Sequence, residues 1–255
     1  MKGGTNPRRL LSVAILACGI VARPSAVEAC ACGGTLSSAA AFNSADLVFV
    51  ATVVGIDQPK PMSRVNGDGS VNGGFSIGGP ENVSFSIAHV FRGNSAAQLV
   101  MVNDGTDCAL PFKPGEEWLV YANRRDGQVR TGKCTRTRLR RDASSDLAYL
   151  EGREHGQPQG VVFGDVFRRT TGPDGKPALK ALCEPLQVVA EGVNGRVEVT
   201  TDQWEPYQLV LPPGDYEVWV EQAGRALGPR HAVHVENGSD RPLTLIVEYQ
   251  GSSTP

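Results

Sequence analysis

The sequence predicts an all-β protein, and three observations carry that reading. Apolar residues come in short runs, several alternating with polar ones in the period-two pattern of a half-buried strand. Turn signals such as Pro-Asp-Gly and Asn-Gly separate these runs at short intervals. Val is abundant while aromatics are only 6% of the 255 residues, a composition that suits strands better than helices. Gly and Pro are numerous, at 30 and 17 residues, yet the apolar share of 40% is ample for a core. Disorder and collagen are excluded on those numbers. A formal charge of −2 argues against a basic nucleic-acid binder, so no nucleic-acid partner is expected.

The chain opens with Lys2, Arg8 and Arg9, followed by an apolar run from Leu10 to Ala22 that Arg23-Pro24 ends. That run is too short for a bilayer span and suits the core of a signal peptide, residues 1–29. Val27 and Ala29 supply the small residues of a cleavage site, which makes Cys30 the first mature residue. A lipoprotein signal ending at Cys18 is the less favoured alternative. No later stretch reads as a membrane span. The expectation is a secreted, periplasmic or extracellular protein.

Export changes the meaning of the cysteines. Once Cys18 has left with the signal, Cys30, Cys32, Cys108, Cys134 and Cys183 remain. In an oxidising compartment they pair, and five is an odd number. Cys30 and Cys32 lie two apart on an extended segment and staple the N-terminus to separate partners. Cys108 and Cys134 are the natural partners, with Cys183 left over. A zinc site is a poor fit because no paired CxxC knuckle exists.

Element by element, Leu47 to Ile56 reads as a buried strand and Val83 to Phe91 as an alternating one. Leu99 to Val102, Glu117 to Tyr121 and Val129 to Cys134 follow. Ala143 to Leu150 reads as a short helix with Asp142 as its N-cap. Five strands and a terminal helix predict a small closed barrel of the OB type over residues 30–155. A polar stretch at 156–160 reads as a linker. Beyond it, seven segments predict a β-sandwich over 161–250, with 251–255 as a tail. They are Val161–Phe167, Leu186–Ala190, Val197–Thr201, Tyr207–Leu211, Tyr216–Glu221, His231–Val235 and Leu243–Glu248. The first unit is neutral, with 13 basic and 13 acidic residues; the second has 8 and 13, or −5.

Cys30-Ala31-Cys32, Ala41-Phe42-Asn43-Ser44-Ala45-Asp46-Leu47-Val48-Phe49 and Pro114-Gly115-Glu116-Glu117-Trp118-Leu119-Val120-Tyr121-Ala122 followed by Cys134 together resemble the netrin-like domain of the tissue inhibitors of metalloproteinases. The resemblance implies disulfides Cys30–Cys108 and Cys32–Cys134. It also implies an inhibitory wedge of Cys30, Ala31 and Cys32, in which the Cys30 α-amine and carbonyl chelate a protease zinc and displace its water. Ala31 then points into the specificity pocket of a zinc metalloprotease. Val199-Thr200-Thr201-Asp202, Tyr207-Gln208-Leu209 and Leu211-Pro212-Pro213-Gly214-Asp215-Tyr216 resemble the carboxypeptidase regulatory-like, transthyretin-type sandwich, whose members are generally non-catalytic.

Other residues carry weaker expectations. Arg136, Arg138 and Arg140, alternating on a strand end with Arg141 beside them, are candidates for an anion patch, against the simpler reading of a solvated strand end. Asn66, Asp68, Ser70 and Asn72 mimic a calcium loop but lack the acidic twelfth residue, so an EF-hand is rejected. His231 and His234 fall on opposite faces of a strand, as do Glu116 and Glu117. His89 reads as a hydrogen-bonded core residue. Cys183 has no histidine placed to activate it. Asn82-Val83-Ser84 and Asn237-Gly238-Ser239 are glycosylation sequons. No enzyme, intrinsic metal or cofactor is expected. Two functions stand: a metalloprotease inhibitor-like protein, or an extracellular binding module for a protein or glycan.

Overall fold

A computed structural model describes residues 32, 36–57, 80–103, 108–182, 184–201 and 206–248. The first strands are β1 (Leu47–Asp57), β2 (Glu81–Arg92), β3 (Gln98–Asn103), β4 (Glu117–Arg125) and β5 (Gln128–Thr131). They hydrogen-bond in the order β1-β2-β3-β5-β4, and β4 returns to β1, so the sheet closes into a five-stranded barrel. All neighbours are antiparallel except β3 and β5, which run parallel. Asp126 and Gly127 turn β4 into β5 with φ of 51° and 74°. Positive φ at both central residues gives the type I′ turn whose twist matches a hairpin.

Two strands explain why the barrel region reads as continuous apolar runs. Leu47, Phe49, Ala51 and Val53 of β1 face the barrel interior with Phe85, Met101, Trp118 and Val120. The intervening Val48 and Val50, with Leu119 and Tyr121 of β4, are buried on the outer face. Two short helices cover that face: α1 (Ser38–Ser44), which the sequence reading did not foresee, and α2 (Ser144–Glu154). Ser37 N-caps α1 by accepting from the Ala40 amide. The cap of α2 corrects an expectation. A 3-10 turn occupies Arg140–Asp142, so the helix begins later than expected. Ala143 takes the N-cap place without any side-chain hydrogen bond.

Beyond the helix come β7 (Gly160–Gly164), β8 (Val166–Thr171), β9 (Pro177–Ala181), β10 (Gln187–Gly192), β11 (Gly195–Thr200) and β12 (Tyr207–Leu211). They are followed by β13 (Gly214–Gln222), β14 (Arg225–Ala226), β15 (His231–Val235), β16 (Asp240–Pro242) and β17 (Leu245–Glu248); β6 is the pair Arg138–Leu139 beside β4. One sheet runs β11-β10-β13 with β14 and β15 on β13; the facing layer is β12-β7-β16 continuing into β17-β8-β9. Val188, Ala190, Leu209, Leu211, Val218 and Val220 pack between the layers as the sandwich core. All seven expected segments are strands. Val161–Phe167 breaks in the middle because Gly164 adopts φ 158°, where a Cβ would lie 2.2 Å from the Leu243 carbonyl oxygen. The ladder resumes across this kink through Leu243 N–H to Phe163 O and Leu245 N–H to Asp165 O. Strand β9, hairpinned to β8 around the Pro173-Asp174-Gly175 turn, adds to the expected set.

The barrel and sandwich share a third apolar cluster. Phe42, Tyr149 and Leu150 from the helices and Val48 and Val50 from β1 pack with Val161, Phe163 and Val210 of the sandwich. Polar ties run alongside: Ser38 N–H donates to Gln208 Oε1 at 2.7 Å, and Ser37 Oγ to Asp240 Oδ2 at 2.7 Å. Within residues 156–160, Gln159 is buried and its Nε2 donates to the Tyr149 carbonyl at 2.6 Å, while Gly160 already belongs to β7.

Candidate functional site

At one end of the barrel, the N-terminal segment is stapled to the turn that follows β5. Cys134 lies in a 3-10 turn (Lys133–Thr135) directly after β5, and its sulfur bonds to Cys32 across a sequence separation of 102. Lys133 N–H donates to the Cys108 carbonyl at 2.9 Å, which brings Cys108 to the same turn. Cys108 is itself disulfide-bonded. Cys30, its expected partner, and Ala31 lie outside the described residues, so the wedge beyond Cys32 does too.

Behind this staple sits a buried charged cluster. Arg136 has φ 70°, which swings its side chain inward. Nε and Nη2 then donate to the Asp146 carboxylate at 2.6 and 3.0 Å, a bidentate geometry that fixes both groups. Nη1 donates to the Leu36 carbonyl at 2.6 Å, holding the chain four residues past Cys32. The Asp146 side chain is fully buried, and it also accepts from the Tyr121 hydroxyl at 2.9 Å. Arg138 Nη1 approaches the same carboxylate at 3.6 Å. Burial first, and then the neighbouring Asp146 charge, push the Tyr121 hydroxyl pKa well above its ordinary value. The hydroxyls of Thr131 and Thr137 lie 2.8 and 3.0 Å from the Tyr121 carbonyl oxygen and 2.7 Å from each other, so one donates to the carbonyl while the other donates to its neighbour.

The expected anion patch is therefore corrected. Only Arg138–Leu139 is strand, and the left-handed backbone at Arg136 breaks the alternation that a shared face requires. Arg136 is 8% exposed and committed to Asp146, and Arg140 pairs with Glu117 on the surface at 3.1 Å. His89 is also corrected: it is exposed and pairs with Glu154 at 3.1 Å. His234 pairs with Asp215 instead of His231. Glu116 accepts from the Trp118 indole N–H at 3.2 Å while Glu117 holds Arg140. Cys183 and the 66–72 segment lie outside the described residues. Among the described residues, no three His, Cys, Asp or Glu side chains are grouped to hold a metal ion.

Two depressions adjoin the cluster. A groove of about 620 Å³ runs between Glu116, Glu117 and Leu139 on one side and Arg140, Arg141 and Leu147 on the other. A smaller cleft of about 360 Å³ opens between barrel and sandwich, with Arg138, Ser144 and Ser145 facing Glu198, Thr200 and Gln208. Asp146, Tyr121 and Gln208 were not singled out from the sequence. The available signal was an Asp at the fourth position of the expected helix, ten residues after Arg136 in an arginine run.

Fold and site define an all-β protein in which an OB-type barrel, disulfide-stapled at its N-terminal segment, is packed on a β-sandwich. No family model matches the chain, and no curated protein matches it. Among solved structures it is similar to the minor pilin GBS52 of Streptococcus agalactiae, with 10% identity, TM-score 0.30, and 83% of this chain and 86% of that one covered. It is also similar to a fimbrial protein from Bacteroides ovatus, with 6% identity, TM-score 0.23, and 80% and 45% covered. At those scores neither likeness bears on fold or function. No helix among the described residues is long and apolar enough to cross a membrane.

Proposed function

We propose that the chain is an exported, non-catalytic binding module that presents a pre-formed surface to an extracellular protein or glycan. The observation that supports it most is the double anchoring of the N-terminal segment: Cys32 by its disulfide to Cys134, and Leu36 by the buried Arg136. A segment fixed before binding loses little ordering entropy when a partner arrives. The shared core beneath α1 and α2 favours the same reading, because it packs the barrel against the sandwich. The test is retention of the oxidised, exported protein on isolated cell-surface protein and polysaccharide fractions. Saturable retention that survives acetylation of the N-terminal amine is expected; absence of retention on every fraction overturns the reading.

A second reading is favoured by one observation. Cys32 pairs with Cys134, as the resemblance to metalloprotease inhibitors implies, and Cys108 is also in a disulfide. On this reading the Cys30 amine and carbonyl cap a protease zinc. One residue added before Cys30 then abolishes inhibition of a zinc protease, and unchanged inhibition in that variant rejects the mechanism.

A further inference from the structure

The groove of about 620 Å³ beside the buried cluster lies where three elements meet: the approach to β4, the end of β6 and the first turns of α2. Its floor is aliphatic. Leu139 packs against the barrel-interior core and Leu147 against the core on the outer face, and both remain half-buried. Ser144 precedes Leu147 by three residues, so this exposed residue shares the same face of α2. Ligand sites occupy roughly 300–1,000 Å³ and combine an apolar lining with a few polar groups, which is the character of this groove.

Its walls are held in place without a ligand. Asp146 of α2 accepts from the Tyr121 hydroxyl of β4 at 2.9 Å and from Arg136, two residues before β6, at 2.6 and 3.0 Å. The approach to β4 is tied to β1: Gly115 N–H donates to the Val53 carbonyl at 2.8 Å, and Val53 N–H donates to the Glu116 carbonyl at 3.0 Å. A site fixed in this way loses little ordering entropy on binding, which gives the buried ion pair a use beyond stability.

The rim carries both signs of charge. Glu117 and Arg140 pair with each other at 3.1 Å. Glu116 Oε2 accepts from the Trp118 indole at 3.2 Å, while its Oε1 has no partner and no cation pairs with it among the described residues. Arg141 has a side chain 73% exposed, and its one ion pair, to the neighbouring Asp142, is 3.8 Å long. An anionic and a cationic group thus stand over an aliphatic floor. The described lining holds no aromatic ring on which a sugar could stack. We propose that this groove binds an extended peptide segment of a partner protein, in which an aliphatic residue lies between a basic and an acidic one. The aliphatic side chain rests on Leu139 and Leu147, the basic residue pairs with Glu116, the acidic one pairs with Arg141, and the Ser144 hydroxyl bonds the peptide backbone. The assignment rests on the binding-module reading and names its partner class.

Selection of displayed random heptapeptides on the full oxidised protein tests it, followed by calorimetric titration with the enriched peptides made with blocked ends. The enriched set should share the basic, aliphatic and acidic pattern. Arg141→Glu alters an exposed side chain, and Glu116→Gln keeps an oxygen for the Trp118 indole, so neither should lower the melting temperature appreciably. Each should weaken peptide binding at least tenfold. Enriched peptides that lack the pattern overturn the stated chemistry, and unchanged affinity in both variants overturns the location. If no peptide is enriched while surface polysaccharide fractions still retain the protein, the peptide assignment fails and the binding-module reading stands.

Discussion

Replacing Asp146 with Ala tests the buried cluster that positions the N-terminal segment. The substitution removes the acceptor of two Arg136 hydrogen bonds and of the Tyr121 hydroxyl, in a place where neither group can reach water. Removing one partner of a buried ion pair costs about 3–5 kcal/mol, because the remaining charge is left uncompensated. The orphaned hydroxyl adds to that, but the two losses share one site and do not sum in full. A net loss of about 4 kcal/mol is expected. With a urea dependence of about 3 kcal/mol per molar, the unfolding midpoint of the oxidised protein falls by roughly 1.3 M. The double variant Asp146→Asn with Arg136→Met removes the charges of the bidentate pair at nearly the same volume and keeps an acceptor for the Tyr121 hydroxyl, and it should recover part of the loss. A single-variant loss below about 1 kcal/mol, the range of an exposed pair, would refute the reasoning.

Three further outcomes are expected of the protein. Replacing Cys32 and Cys134 with Ser opens a loop spanning 102 residues, and in the entropic account a closure of that size is worth about 4–5 kcal/mol, read as a lower urea midpoint. The Tyr121 and Tyr207 hydroxyls are both pushed up, chiefly by burial, with Asp146 and Asp165 respectively adding to the effect. The unfolded chain ionises its tyrosines near pH 10 while the folded chain resists, so this stability is intact below about pH 10 and falls above it by about 1.4 kcal/mol per pH unit for each residue. Denaturation between pH 10 and 12 should show that slope, with Tyr121→Phe removing one residue's share. Gly164→Ala places a methyl against the Leu243 carbonyl oxygen and should lower the melting temperature by several degrees, whereas Gly55→Ala, whose Cβ would meet only Ser84 Cβ at 3.9 Å, should cost far less.

The barrel was legible because β1 and β2 carry long patterns with enough periods to identify them. Helix α1 was not: seven residues, three of them Ala and two Ser, give too few turns for a periodic signal, and its role depends on a sheet face that only tertiary packing creates. Burial of β1 on both faces is written in Leu47-Val48-Phe49-Val50-Ala51, although nothing local says what covers the second face. The arginine run misled for a physical reason. Alternation assumes continuous strand, and a single left-handed residue, Arg136, turned one cation inward. The pairing of Cys32 with Cys134 came from resemblance alone. The role of Gln208 was invisible, since a Gln inside an apolar strand gives no hint of whether its donor is satisfied.

The helices between barrel and sandwich have a practical consequence for anyone wishing to transplant the stapled barrel. Cutting the chain after α2 would bare Phe42, Tyr149 and Leu150 along with the Ser38 amide that Gln208 now satisfies. Such a fragment carries a sticky flank and should self-associate at working concentrations. A portable version needs polar replacements on the outer faces of α1 and α2, or must travel with strands β7 and β12 as its own lid.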